Sequence, residues 1–490
     1  MGSLDTFWFI INTTIGPGIF SIPSSIFCIT GSVGITFVLW IVGNVSVALE
    51  FAMAIPRSGG EKNYLERVYR RPKFLITCVM AALYIFLGGP ASSSIAFASY
   101  ILQAAGHPDP TGSWLTRVAA VGCVTGAILV HTLLPKWGIR VLRVLGHVKL
   151  VIMAFIICSG FAALTGHRRV PDPHNFENVF AMESGDGWGA SGAYGYANAI
   201  IRIGYTYGGA NVVTTVLGEL KSPRKTLPIV TPLALSTVTI LYLLVNVAYF
   251  AAIPKDSLAK SDVIVAGVFF RNMFGESAAA RVLPAFVGLN NLGNVLTLTF
   301  AHGRMNQEFA KEGILPYSHF WASDKPFGAP GPALLLNWLA TVVVIIVPPP
   351  GPIYTFLIDL IIYPHIVLAA MSVCGLLWLR LRLSEKWSSP FKCPLVVILM
   401  SITIHFFLLV MPLVPSPTGR NAQGYPYFVF PVAGLGILAI GALYWVAWAK
   451  VFPRLGGYRI EATRSLDKEG KEMVEFRRIN TTSSAYHSTR

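Results

Sequence analysis

Apolar residues along this chain fall neither in the alternation of a half-buried strand nor in the one-sided stripe of a surface helix, but in long, nearly unbroken runs with short polar punctuation. Runs long enough to cross a bilayer, roughly 20 residues each, cover 4–27, 31–55, 74–105, 115–134, 141–164, 193–217, 227–253, 282–300, 332–347, 353–379, 395–414 and 428–451. The pattern predicts an all-α polytopic membrane protein with twelve transmembrane helices, numbered one to twelve in chain order.

Two of these runs break at glycine: Thr13-Thr14-Ile15-Gly16-Pro17-Gly18-Ile19-Phe20 in helix one, and Tyr205-Thr206-Tyr207-Gly208-Gly209-Ala210-Asn211 in helix six. A break at membrane depth leaves backbone N–H and C=O groups unpaired, which is tolerated only where protein or a solvated cavity satisfies them. Breaks at matching places in two halves point to a midplane binding site of a secondary transporter. The expected organisation is a first five-helix repeat over 1–166, a second, inverted one over 193–379, helices eleven and twelve over 391–451, and a cytoplasmic tail over 452–490. Polar, charged and rich in Ser and Thr, that tail is expected to be disordered.

Composition agrees with membrane residence, since 54% of residues are hydrophobic and 12% charged, where soluble proteins carry about a quarter charged. Basic residues near helix ends stay cytoplasmic. Arg57, Lys62, Arg67, Arg70, Arg71 and Lys73 lie between helices two and three, and Arg380, Arg382, Lys386 and Lys392 between ten and eleven, while 28–30 and 348–352 carry none. Both termini are therefore expected in the cytoplasm, with the plasma membrane as location. The net charge of +15 reflects this bias and a basic tail, which leaves nucleic acid out as a partner.

Six cysteines, at 28, 78, 123, 158, 374 and 393, have no metal-like spacing and are expected to be packing thiols. Histidines at 131, 147, 302, 319, 365 and 405 fall on different segments, and neither a nucleophile elbow nor a phosphate loop is present, so no enzyme, metal or cofactor is expected. The first run has the features of neither a cleavable signal nor a transit peptide. Sequons at Asn12, Asn44 and Asn480 fall in helices or the tail and are expected to stay unglycosylated.

Four stretches carry a family resemblance: Gly16-Pro17-Gly18-Ile19-Phe20; Ile55-Pro56-Arg57-Ser58-Gly59-Gly60-Glu61 with Tyr64-Leu65; Gly218-Glu219-Leu220-Lys221-Ser222-Pro223-Arg224-Lys225-Thr226-Leu227-Pro228; and Arg304 with Ala310-Lys311-Glu312-Gly313-Ile314-Leu315-Pro316. Together, in this order, they resemble the L-type amino acid transporter branch of the amino acid–polyamine–organocation superfamily. The string from Gly18 to Phe27 is similar to that of fungal methionine permeases. The resemblance implies two inverted five-helix repeats plus two helices, with an amino acid held between broken helices one and six. Its carboxylate would rest on backbone N–H groups after the first break, and its amine would face carbonyls of both breaks.

Candidate binding residues are Ile15, Gly16, Gly18, Ile19, Tyr205, Thr206, Gly208 and Asn211. Half-helix ends answer both charges of a zwitterion without a formal charge, and glycines let backbone approach ligand; the competing role for Gly16 and Gly18 is close helix packing. Pro17 stands where the family has a small residue with an N–H, so one donor is missing. By resemblance Tyr205 is an aromatic gate, or else a core aromatic. Ala210, small where relatives are bulky, leaves room for a longer side chain, and Asn211 faces either substrate or frayed backbone. Lys149 in helix five matches a lysine whose ammonium takes the place of sodium in sodium-coupled relatives; the alternative is snorkelling beside Arg140 and Arg143.

Other costly intramembrane groups are Glu50, expected to pair with a base; Arg202, snorkelling or lining an outer vestibule; Asp359 and His365, proton carriers or else paired or interfacial groups; and Asn290, Asn291 and Asn294 on helix eight, bonding across the bundle or reaching substrate. The leading expectation is transport of neutral, larger amino acids such as methionine by alternating access, with proton symport or exchange. The alternative is a transporter-like sensor, which an extended cytoplasmic N-terminal domain would favour; here helix one opens near Met1, and a start shortened relative to fungal relatives is expected. Some L-type transporters are disulfide-linked to a heavy subunit through the loop after helix three. The corresponding loop, 103–114, has no cysteine, so no such partner is expected.

Overall fold

The computed structural model describes residues 2–42, 48–55, 59–87, 89–107, 113–182, 192–220, 222–261, 264–275, 278–325, 328–348, 353–415, 426–466 and 472–480. Asn44, most of loop 348–352, part of loop 103–114 and the Pro56-Arg57-Ser58 portion of the second motif lie outside these residues, as do the side chains of Ala210, Arg140 and Arg143.

Among the described residues, seven helices are long and apolar enough to cross a membrane, and the bent pair Ser3–Thr14 and Gly18–Thr30 makes an eighth. Helices in the remaining expected places fall short of that measure for identifiable reasons. Helix two appears as Val33–Val42 and Ala48–Ala54, helix six ends its α-winding at Gly208, helix nine, Gly331–Ile346, is 16 residues long, and helix eight, Ala278–Lys311, carries many polar residues. The outer surface of the bundle is apolar: Val151, Ile229, Phe406 and Leu443 are each 67–70% exposed. Such a belt faces lipid, since a protein surrounded by water rarely shows contiguous apolar patches of that extent.

Helix one breaks as expected. Its halves meet at 43°, because Pro17 lacks an N–H and caps the second half, while the Gly16 N–H turns back to the Thr14 carbonyl at 2.9 Å. Helix six differs from expectation. It does not fold away at Gly208-Gly209 but changes from α-winding over Gly192–Gly208 to 3₁₀-winding over Gly209–Glu219. Gly208 keeps ordinary right-handed helical angles, and the winding tightens from there.

The tail expectation is corrected. Tyr458–Leu466 (β1) and Glu472–Asn480 (β2) form an antiparallel hairpin with Tyr458 opposite Asn480. Alternation overrides polar composition: Ile460 and Phe476 share one face of the hairpin. The Phe476 ring packs 4.7 Å from Phe74 and 6.1 Å from Trp448, and its N–H donates to the Glu312 carbonyl at 2.8 Å. The hairpin is thus seated on the ends of helices three, eight and twelve, with Phe476 and Ile460 packed against their apolar cluster.

Candidate functional site

The two interruptions lie against each other. A Cβ built on Gly209 would sit 2.1 Å from the Thr13 carbonyl oxygen and 2.6 Å from the Thr14 nitrogen, so only glycine admits this backbone-to-backbone approach. Gly18 meets helix six likewise, its would-be Cβ falling 2.3 Å from Thr206 Cγ2, and Gly16 abuts the Asn294 amide of helix eight. The Tyr242 hydroxyl, on helix seven, donates to the Thr14 carbonyl at 2.7 Å and approaches the Thr206 carbonyl at 3.3 Å, so one buried side chain satisfies backbone from both interrupted helices. Sequence reading missed Tyr242, because a tyrosine in an apolar run has the same pattern as a packing aromatic.

Around this crossing opens a cavity of about 380 Å³, bordered by Thr13, Gly16, Pro17 and Gly18 of helix one and by Tyr205 to Gly209 and Asn211 of helix six. A space of this size suits a small ligand with its hydration. Of the expected binding residues, Gly16, Gly18, Tyr205, Thr206, Gly208 and Asn211 lie on its wall. Ile15 and Ile19 do not: their side chains are buried in the core, and the Ile15 carbonyl is engaged by Lys149. The Gly18 and Ile19 N–H groups open the second half of helix one, where first-turn donors have no intrahelical partner. Since Gly16 donates within the break and Pro17 has no proton, these two are the donors the break offers an anion.

Lys149 is fully buried and donates to the carbonyls of Asn12 at 2.7 Å and Ile15 at 2.6 Å. Its ammonium therefore faces the C-terminal end of the first half-helix, where the helix dipole favours a cation. Tyr205 shares a hydrogen bond with the Ser92 hydroxyl of helix three at 2.7 Å, which anchors its ring at the cavity edge. Thr206 turns its hydroxyl to the Ile203 carbonyl at 2.6 Å, presenting its methyl to Gly18.

Two further carboxylates among the described residues, Asp359 and Glu50, are paired with arginines. Arg202 clasps Asp359 with two hydrogen bonds, 3.3 Å from Nε and 3.1 Å from Nη2, both side chains being under 10% exposed. Arg202 lies on helix six between the cavity-lining Ile201 and Gly204, and Asp359 stands two residues before the cavity-lining Ile361 on helix ten; the pair therefore joins the two helices beside the site. Of the roles expected for Asp359, the geometry is that of the paired one. Glu50 receives Arg380 Nε at 3.0 Å, Trp387 Nε1 at 3.1 Å and the Cys393 N–H at 2.8 Å, as its structural reading required. His365 and Asn294 reach the cavity, whereas Asn290 and Asn291 are fully buried without being on its wall.

The amino acid permease family matches residues 1–439 of this sequence. The chain belongs to that family. It is 36% identical to the high-affinity methionine permease of Saccharomyces cerevisiae, over 98% of this chain and 84% of that protein. It is 27% identical to the low-affinity methionine permease of the same yeast, over 94% and 84%, and 28% identical to the Asc-type amino acid transporter 1 of Mus musculus, over 95% and 83%. The permease is a membrane protein of amino acid transport and not an enzyme.

One substitution pair tests the crossing of the two breaks in this permease. Gly209→Ala must push backbone from backbone, an overpacking cost of about 1–3 kcal/mol, and is expected to reduce uptake more than about tenfold at matched surface level. Gly208→Ala, whose added Cβ meets nothing within 4 Å, is expected to leave expression and thermal stability at wild-type values. Uptake and melting of the two variants, measured together, check the contrast.

Proposed function

We propose that the permease carries neutral amino acids with larger side chains, methionine among them, across the plasma membrane by alternating access. The cavity at the crossing of the two interrupted helices is the observation that carries this reading. A carboxylate meets the Gly18 and Ile19 N–H groups, and an ammonium faces the backbone carbonyls around Thr13 and the change of winding in helix six. Half-helix ends bind both charges of a zwitterion while adding no net charge to the site. Tyr205 covers the ligand, and the apolar wall formed by Leu83, Leu87, Ile362 and Ile366 receives an unbranched, polarizable side chain.

Both termini lie in the cytoplasm in this reading, movement is by proton symport or exchange, and no disulfide-linked heavy subunit takes part. The methionine permeases of yeast, similar over nearly the whole chain, support the substrate class. A competition panel checks it: uptake of labelled methionine by the reconstituted permease, challenged with each of the common amino acids. Larger neutral residues are expected to compete, and Asp and Glu to fail, because among the described residues the cavity wall carries no Lys or Arg. Competition by Asp or Glu equal to that by methionine would refute the assignment.

A further inference from the structure

At the cytoplasmic end of the cavity stands an acidic side chain for which the binding reading has no use. Glu61 opens the short helix Glu61–Val68 that follows helix two, and it borders the same cavity as Gly18, Tyr205 and Thr206. Its carboxylate is half-buried, open to the cavity and otherwise enclosed by protein. Among the described residues its carboxylate accepts a hydrogen bond from the Ser372 hydroxyl of helix ten, 3.2 Å from Oε1.

The groups facing Glu61 hold no cation among the described residues. From its own helix comes the Tyr64 ring, from helix three Tyr84, from helix ten Ser372, and from the 3₁₀ segment of helix six Thr214, packed on Gly60. His302 and His365 border the cavity farther in. The neighbouring Lys62 is directed away, to Glu312 and Glu66. A carboxylate in such a place lacks the counter-charge that Glu50 and Asp359 possess. Removal from bulk water without a cation favours the neutral form, and a proton from cavity water is the available partner.

We propose that Glu61 binds the proton that accompanies the amino acid, rests on it as a neutral carboxyl while the permease changes state, and returns it to cytoplasmic water. The step is a simple protonation: an O–H bond forms on the carboxylate from a proton carried by water, and the same bond breaks on release. Ser372 reads the change. Its hydroxyl donates to the ionised form and is free to accept from the neutral one, so the link between the loop helix and helix ten alters with each proton. Burial pushes the Glu61 carboxyl up to about 7, the Ser372 hydrogen bond opposing the shift. Proton occupancy therefore rises as pH falls through neutrality, within the range where a transmembrane gradient acts.

The inference rests on the transport reading above, and the test separates the two. Proteoliposomes at clamped zero potential are assayed for methionine counterflow, which needs no net proton movement, and for accumulation under a pH gradient. For one proton per amino acid, a gradient of one unit sustains up to about tenfold accumulation. Wild type is expected to do both. Glu61→Gln is expected to keep counterflow within about twofold, with no dependence between about pH 5.5 and about pH 8, and to lose accumulation. Glu61→Asp restores a pH-dependent profile, and Ser372→Ala moves its midpoint to higher pH because the ionised form loses a donor. Proton-driven accumulation or a wild-type pH profile in Glu61→Gln overturns the inference, as does wild-type counterflow without any proton-driven accumulation. Absent counterflow in wild type strikes the transport reading itself.

Discussion

Lys149→Ala is expected to abolish transport while leaving the permease folded and delivered to the surface. The Lys149 ammonium donates two hydrogen bonds to carbonyls at the end of the first half of helix one, and bonds from a charged donor contribute about 1.5–3 kcal/mol each. If these bonds hold helix five to the break in only one of the alternating states, losing both shifts the balance by at least about 100-fold. Uptake should fall by a comparable factor. Lys149→Arg is expected to recover little, because helix eight walls the site: a Cβ on Gly293 would already stand 3.0 Å from Lys149 Cε. With the Lys149 ammonium at this place in the sodium ion's stead, parent uptake is expected to be the same in sodium and in choline medium. Wild-type rates in Lys149→Ala, or strict sodium dependence of the parent, would contradict this role.

Arg202→Ala is expected to produce the largest loss of stability. The Arg202–Asp359 pair is nearly sealed from solvent, and deleting one member of a buried ion pair costs about 3–5 kcal/mol, since the other charge is left uncompensated. Purified Arg202→Ala should melt several degrees below the parent, and Asp359→Ala should behave alike. The paired change Arg202→Met with Asp359→Leu is expected to regain most of that stability, because apolar packing replaces a charge pair whose desolvation offsets much of its attraction. Its transport should nonetheless stay impaired if the clasp between helices six and ten must open and close beside the site. A double variant with full activity would reduce the pair to a structural contact.

Local signals and long-range ones were unequally legible in the sequence. Gly16-Pro17-Gly18 announced the helix-one break, because a missing N–H and two absent Cβ atoms act on the backbone where they stand. The double glycine of helix six announced a change of winding without its form, since Gly208 can keep helical angles while Thr13 and Thr14 pack against its neighbour Gly209. Arg202 and Asp359 each stood out as costly charges, but their pairing spans 157 residues and follows from no pattern in either helix. Tyr242 carried no signal at all. Glu61 was visible only as the last residue of a loop motif, its place at the cavity depending on how helix ten comes to lie beside that loop. In the tail, composition pointed to disorder while the alternation of Ile460, Ala462 and Phe476 favoured a hairpin that the Phe74 and Trp448 rings stabilise.

The central claim is that an amino acid bound where the two interrupted helices cross is carried through the membrane. The most direct measurement follows labelled methionine in sealed proteoliposomes whose lumen is reduced stepwise by raising external osmolarity. Carried label scales with internal volume, and bound label does not. The account predicts retention proportional to lumen volume in the parent and its loss in Lys149→Ala. Retention independent of volume would show binding without passage and contradict the account.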